Sequence, residues 1–313
     1  MTKKHTKESR KSHTQSSKSL LNNLDHLTGK LDFKATNDYM FRAVLQTSEE
    51  ALTGLLSALL DIPKEDFLSI NILNPIILGE AIDDKTIVLD LNILLNNNQV
   101  INLEMQVINE GDWEERSLYY LCKNFTELKR GRPYHDLLPV MHIGILDFSL
   151  FSDSNQFYSE YLLRETKTHK VYSDKLCIRM LNLTQITNVT DEERSSDLYK
   201  WAKLFKATTW EELHMLGKDD SSISKFTFTL HEMSEDEKIR QQCMARERYE
   251  HDRASAISYG KKQGIEQGRE QERILLGTLQ QKLAKLNRSD DFLRAFSEPE
   301  FMKQLLKEFG LDS

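Results

Sequence analysis

The chain has 313 residues, a net charge of -7, 39% hydrophobic and 29% charged residues. That length accommodates one sizeable core with an accessory region, or two domains, and it excludes a small stapled module. The three cysteines, Cys122, Cys177 and Cys243, form no CxxC pair, which argues against both a disulfide framework and a zinc knuckle and makes a reducing, cytoplasmic setting the default. No apolar run of membrane-spanning length and no secretory leader is read, and the acidic balance argues against a globally basic nucleic-acid binder.

Along the chain, residues 1–30 read as a basic, disordered tail: the first 20 hold six Lys/Arg against Glu8 alone. Thr36 is placed to cap a helix carrying Met40, Phe41, Val44 and Leu45. Ser48 is placed to cap a second helix with Leu52, Leu55, Leu56, Leu59 and Leu60 at helical spacing, ended by Pro63. Residues 86–94 and 99–108 alternate as two strands, Ile87, Leu89, Leu91, Ile93 in the first and Ile101, Leu103, Met105, Val107 in the second, with Asn96, Asn97 and Asn98 as the turn. Asp112 and Glu115 have capping-box spacing before a helix running to about Arg130. Val140 to Phe148, Tyr158 to Arg164 and Leu176 to Leu183 read as further strands. The alternation implies an α/β core, residues 31–190, with a central mixed sheet flanked by helices.

From Asp191 to the end, residues 191–313, the pattern becomes charged and helical, without proline between Pro139 and Pro299. The stretch Ser234 to about Asn287 reads as one long helix with Gly260, Gly264 and Gly268 on one face. Two readings of it stay open, a solvated helix and an arm for homo-oligomerisation.

The hairpin carries the chemistry. Its polar face holds Asp90 and Asn92 on one strand and Asn102, Glu104 and Gln106 on the other. A three-residue turn centred on Asn97 makes paired positions sum to 194, setting Asp90 opposite Glu104 and Asn92 opposite Asn102. Opposed like charges are destabilising unless a cation compensates them, and two carboxylates with water suit Mg²⁺ or Mn²⁺. An ion there would promote phosphodiester hydrolysis by activating water and stabilising the leaving oxygen. A solvated strand face is the competing reading of the same pattern.

Asp90 followed by Glu104-Met105-Gln106 resembles the D…(D/E)XK core of the PD-(D/E)XK nucleases, with Gln106 in place of lysine. The series Asn74-Pro75, Gly79-Glu80, Ile82-Asp83-Asp84-Lys85, Leu89-Asp90, Glu104-Met105-Gln106, Arg116-Ser117-Leu118-Tyr119-Tyr120 and Ile145-Leu146-Asp147-Phe148 resembles the Rpn family of recombination-promoting nucleases, also called transposases, over roughly residues 33–185. The resemblance implies a PD-(D/E)XK restriction-endonuclease-like fold and a Mg²⁺- or Mn²⁺-dependent endonuclease acting on DNA. It assigns Asp90 and Glu104 as metal ligands, the main-chain carbonyl of Met105 as a third, and Gln106 as the group that orients water.

Asp38 resembles the acid that some of these nucleases bring to the site from an N-terminal helix; an acid in a first helical turn is equally accounted for by the helix dipole. Glu80 and Asp84 are loop acids near the first site strand. Arg116, Tyr120 and Lys123 share a helical face suited to phosphate and base contact, or to simple packing. His135, His142 and His214 stand isolated in the sequence and read as structural or surface residues. The alternatives to a DNA endonuclease are a DNA-binding or assembly protein on the same fold, with Gln106 marking a decayed site, and an RNA-directed or toxin-like nuclease.

Overall fold

The computed structural model describes residues 26–74, 91–126, 133–151 and 153–311. Most of the basic tail, Glu80, Asp84, Asp90 and the start of the first site strand lie outside the described residues. By contacts the chain falls into two units, Met1–Glu250 and His251–Ser313.

The first unit begins with α1, Asp38–Thr47, and α2, Glu49–Leu60. Asn37, one residue after the expected cap Thr36, accepts from the Met40 amide, and Ser48 accepts from the Ala51 amide as its position implied. α1 is buried from Asp38 through Leu45, two charged residues included. Strands β1, Ile70–Ile72, β2, Leu91–Leu95, and β3, Gln99–Gln106, follow. The helix α3, Trp113–Phe125, leads to β4, Val140–Leu146, β5, Tyr158–Arg164, and β6, Val171–Asn182.

Among the described residues these strands form one six-stranded sheet in the order β1-β2-β3-β4-β6-β5. β3 runs parallel to β4 and β4 to β6, and the remaining pairs are antiparallel, which is the mixed sheet the alternation of elements implied. The hairpin register is the expected one: Leu91 pairs with Leu103, Asn92 with Asn102 and Leu95 with Gln99. In the three-residue turn 96–98, Asn96 and Asn97 take φ of 50° and 55°, a region asparagine tolerates better than most residues.

Three boundaries differ from expectation. β6 starts at Val171, five residues early, because its first residues pair with β5 alone and are largely exposed, Val171 and Tyr172 included, so no buried apolar face marks them. α3 ends at Phe125, and the segment read as its continuation lies outside the described residues beyond Thr126. The Asp112–Glu115 capping box does not form, since the Asp112 side chain makes no capping hydrogen bond.

After the short α4, Asp191–Ser195, helices α5, Asp197–Lys206, α6, Trp210–Gly217, and α7, Ser221–Glu235, pack on the same core. Trp201 and Phe205 of α5 meet Phe226 of α7 and Phe41 of α1 in edge or tilted ring contacts. Gly54 permits the close approach of α2 and α7: a Cβ there would lie 2.2 Å from Cβ of Ser222. The long helix is α8, Glu237–Lys285, whose first turns bury Ile239 and Cys243 in this core. In the second unit the end of α8 packs with α9, Ser289–Ser297, and α10, Pro299–Glu308, around buried Leu279, Leu283, Ala295 and Leu305. A Cβ at Gly260, Gly264 or Gly268 would meet no atom within 4 Å.

Candidate active site

Period-two alternation divides β3 between two environments. Ile101, Leu103 and Met105 point into the main core, while Asn102, Glu104 and Gln106 face the layer covered by α3. Glu104 is only 3% exposed, so its carboxylate needs a compensating charge. Arg116, the first of the three positions read as one face of α3, supplies it: its Nη2 lies 2.5 Å from Glu104 Oε1, and its Nη1 lies 3.9 Å from Glu110. Tyr120 lies one turn further, with the Arg116 guanidinium 5.9 Å from its ring centroid. Lys123, the third position, is solvent-exposed.

α3 can sit this close because β4 carries Gly144 directly across from Glu104. A Cβ at Gly144 would fall 2.2 Å from the Trp113 ring, so glycine is what lets the tryptophan lie on the strand. Trp113 also donates its indole N–H to Met180 Sδ at 3.2 Å, fixing the start of α3 over β4 and β6.

His142, read from the sequence as a structural or surface residue, is buried. It pairs with Asn102 across the parallel β3–β4 ladder and is fully buried beneath α3. Its ring lies 5.4 Å from Trp113 and stacks on Tyr120 at 6.4 Å with a 10° interplanar angle. Nε2 is 3.9 Å from Glu104 Oε2, and neither ring nitrogen has a hydrogen-bond partner among the described residues. Burial, with the neighbouring Arg116 charge adding to it, pushes the imidazole pKa down to about 3, so the ring is neutral at physiological pH. Val140 to Leu146 is buried on both faces. No alternation therefore marked which of its residues faces the site.

Asp38 enters from α1 and is 6% exposed. Arg246 of α8 pairs with its Oδ2, while Oδ1 has no hydrogen-bond partner among the described residues. Burial raises the carboxyl pKa of Asp38, opposed by Arg246 and, more weakly, by Arg116. Arg116 thus acts electrostatically on both Asp38 and His142 and pairs with Glu104. Arg246 also lies 3.8 Å from Glu250, whose pKa burial and the Asp38 charge raise to about 7 despite that arginine. Neither Arg246 nor Glu250 was singled out from sequence, because 208 positions separate Arg246 from Asp38.

The remaining assigned residues divide. The Met105 side chain is buried in the main core, so only its main-chain carbonyl is available to the chemistry assigned to it. Gln106 donates its side-chain N–H to the Ile108 carbonyl at 3.1 Å. Asn102 donates to Asn92 Oδ1 at 2.7 Å, and Asn124 donates to the same oxygen at 3.2 Å, tying the hairpin to α3. Asp90 lies outside the described residues. Among those described, no three His, Cys, Asp or Glu side chains converge to hold a metal ion. The donors present, a buried carboxylate and an unpartnered neutral imidazole, fit a divalent cation in chemistry.

No curated protein and no solved structure matches the chain. No helix among the described residues is long and apolar enough to cross a membrane. The sequence model described as PD-(D/E)XK nuclease family transposase matches residues 35–260. That span runs from just before α1 into α8, and so takes in the sheet, the Glu104 site and Arg246. With so much of its length matched, on a mixed sheet flanked by helices, the chain belongs to the PD-(D/E)XK nuclease family transposases.

Proposed function

We propose that the protein is a divalent-metal-dependent endonuclease that hydrolyses DNA phosphodiester bonds, with Asp90 and Glu104 as carboxylate ligands and Mg²⁺ or Mn²⁺ as the ion. The observation that carries the reading is the Glu104–Arg116 pair: a carboxylate 3% exposed, set by β3 against a guanidinium 2.5 Å away.

The roles follow from the side chains. When bound, a divalent ion supplies Lewis acidity, lowering the pKa of a water and stabilising the departing oxyanion. Glu104, together with Asp90 and the Met105 carbonyl, would hold that ion. Gln106 can hydrogen-bond the attacking water, but a neutral amide brings no charge. Arg116 brings it: with 30% of its side chain exposed, the guanidinium can turn from Glu104 to a phosphate oxygen and make the charge-assisted hydrogen bonds that lysine makes in related sites. Tyr120, beside Arg116, offers a face to a sugar or base. Asp38, held by Arg246, keeps a second acid near the same guanidinium. Trp113 and Tyr120 exclude water from the floor around His142.

The test is incubation of the full chain with supercoiled plasmid, single-stranded DNA and RNA, each with Mg²⁺, Mn²⁺ or chelator. Metal-dependent nicking of the plasmid is expected. Cleavage of RNA alone would transfer the reading to an RNA-directed nuclease, and silence on all three substrates would overturn it.

A further inference from the structure

The imidazole of His142 is unexplained by the roles above. It is fully buried, lies on the strand next to Glu104, and offers two nitrogens without a hydrogen-bond partner among the described residues. A buried histidine kept only for packing leaves both ring nitrogens unsatisfied, at a cost that an aliphatic residue of similar size would avoid. Its stacking on Tyr120 and its contact with Trp113 hold the ring plane in place, and Nε2 faces Glu104 Oε2 across 3.9 Å. Two donors each about 2.1 Å from one ion stand roughly 3 Å apart at a right angle and about 3.5 Å apart at a tetrahedral angle. The observed separation is within a small rotamer adjustment of either.

We propose that His142 is an inner-sphere nitrogen ligand to the divalent ion held by Glu104, biasing the site toward Mn²⁺ and other transition ions over Mg²⁺. The inference rests on the metal-dependent nuclease reading and adds to its oxygen donors a ligand of different chemistry. Magnesium demands oxygen and retains water, whereas imidazole suits the first-row transition ions. Losing the nitrogen should weaken Mn²⁺ binding on the order of tenfold or more and affect Mg²⁺ less.

The experiment uses Mn²⁺ alone as probe on the full chain, reading affinity by calorimetry and directly bound nitrogen by pulsed paramagnetic resonance, with Glu104→Ala and His142→Asn alongside. Growth on ¹⁵N-histidine tests the wild type without any substitution, because the modulation from a bound ring nitrogen changes with the isotope. The expected result is a nitrogen signal that responds to the label and is lost in both variants, with the ratio of Mg²⁺ to Mn²⁺ dissociation constants falling in His142→Asn. Glu104-dependent Mn²⁺ binding without a nitrogen signal overturns the His142 assignment and leaves the nuclease reading standing. A nitrogen signal that survives in His142→Asn arises from another of the nine histidines, and one that survives in Glu104→Ala comes from an ion that Glu104 does not hold; either also overturns it. Absence of any Glu104-dependent Mn²⁺ binding overturns both readings.

Discussion

Replacing Arg116 with methionine keeps the side chain's length and its packing against Tyr120 while removing the charge 2.5 Å from Glu104. Taking one partner from a buried ion pair costs about 3–5 kcal/mol, because the other charge stays buried. Arg116 retains 30% exposure, against 4% for the Glu104 side chain, and solvent screening brings the figure to about 2–3 kcal/mol. For a unit of this size that is a fall in melting temperature of about 5–10 °C. If Glu104 is a metal-seeking carboxylate, the fall depends on metal: a divalent ion at 100 times its dissociation constant for the variant returns about 2.7 kcal/mol, and wild type gains less because Arg116 competes with the ion for the carboxylate. Arg116→Met should therefore melt well below wild type in chelator and recover most of the difference in saturating Mn²⁺. The assay is thermal melting of both proteins with EDTA and with Mn²⁺. Equal losses in both buffers would refute the premise that arginine and metal compensate the same carboxylate, and no loss in EDTA would refute the premise that Glu104 depends on Arg116.

Further outcomes follow from the neighbouring groups. Glu250, raised to about 7 from 4.5, favours the folded state while protonated, and that contribution is full below about 4.5 and lost as pH rises from there through 7; Glu250→Gln should thus stabilise the protein at pH 8, by at most about 3 kcal/mol, and leave it unchanged near pH 4, read by denaturant melts at the two pH values. Arg246→Ala leaves Asp38 buried without its cation, so the loss of stability should be larger at pH 8 than at pH 5, where a carboxyl with a raised pKa more readily takes a proton; an equal loss at both would mean that the arginine acts by packing alone. Gly144→Ala places a Cβ 2.2 Å from the Trp113 ring, and overpacking of this kind costs about 1–3 kcal/mol; it should shift α3 with Arg116, so metal-dependent cleavage should fall along with the melting temperature.

How far the sequence disclosed this site depended on whether a feature was local. The β2–β3 register follows from a three-residue asparagine turn and clean alternation, so the Asn92–Asn102 pairing was legible before any coordinates. The placement of Arg116 and Tyr120 on one helical face is equally local, and the ion pair to Glu104 followed once α3 lay on the sheet. That His142 faces the site, rather than only the core or surface, was hidden for the opposite reason. Its strand is buried on both faces, and such a run has no period that separates a site-facing histidine from a core one. Arg246 belongs to a charged helix whose composition resembles solvated surface, and only the packing of Ile239 and Cys243 brings it to Asp38. The unformed box at Asp112 shows a spacing rule satisfied in sequence without the backbone geometry the bond needs.

The central claim, that Glu104 and Asp90 form a metal-dependent phosphodiesterase site, is tested most directly by nicking of supercoiled plasmid with Mg²⁺ or Mn²⁺ by wild type, Glu104→Ala and Asp90→Ala purified in parallel. Chelator-sensitive nicking by the wild type that both substitutions abolish is the predicted result. Equal nicking by all three proteins, or by none, would contradict it.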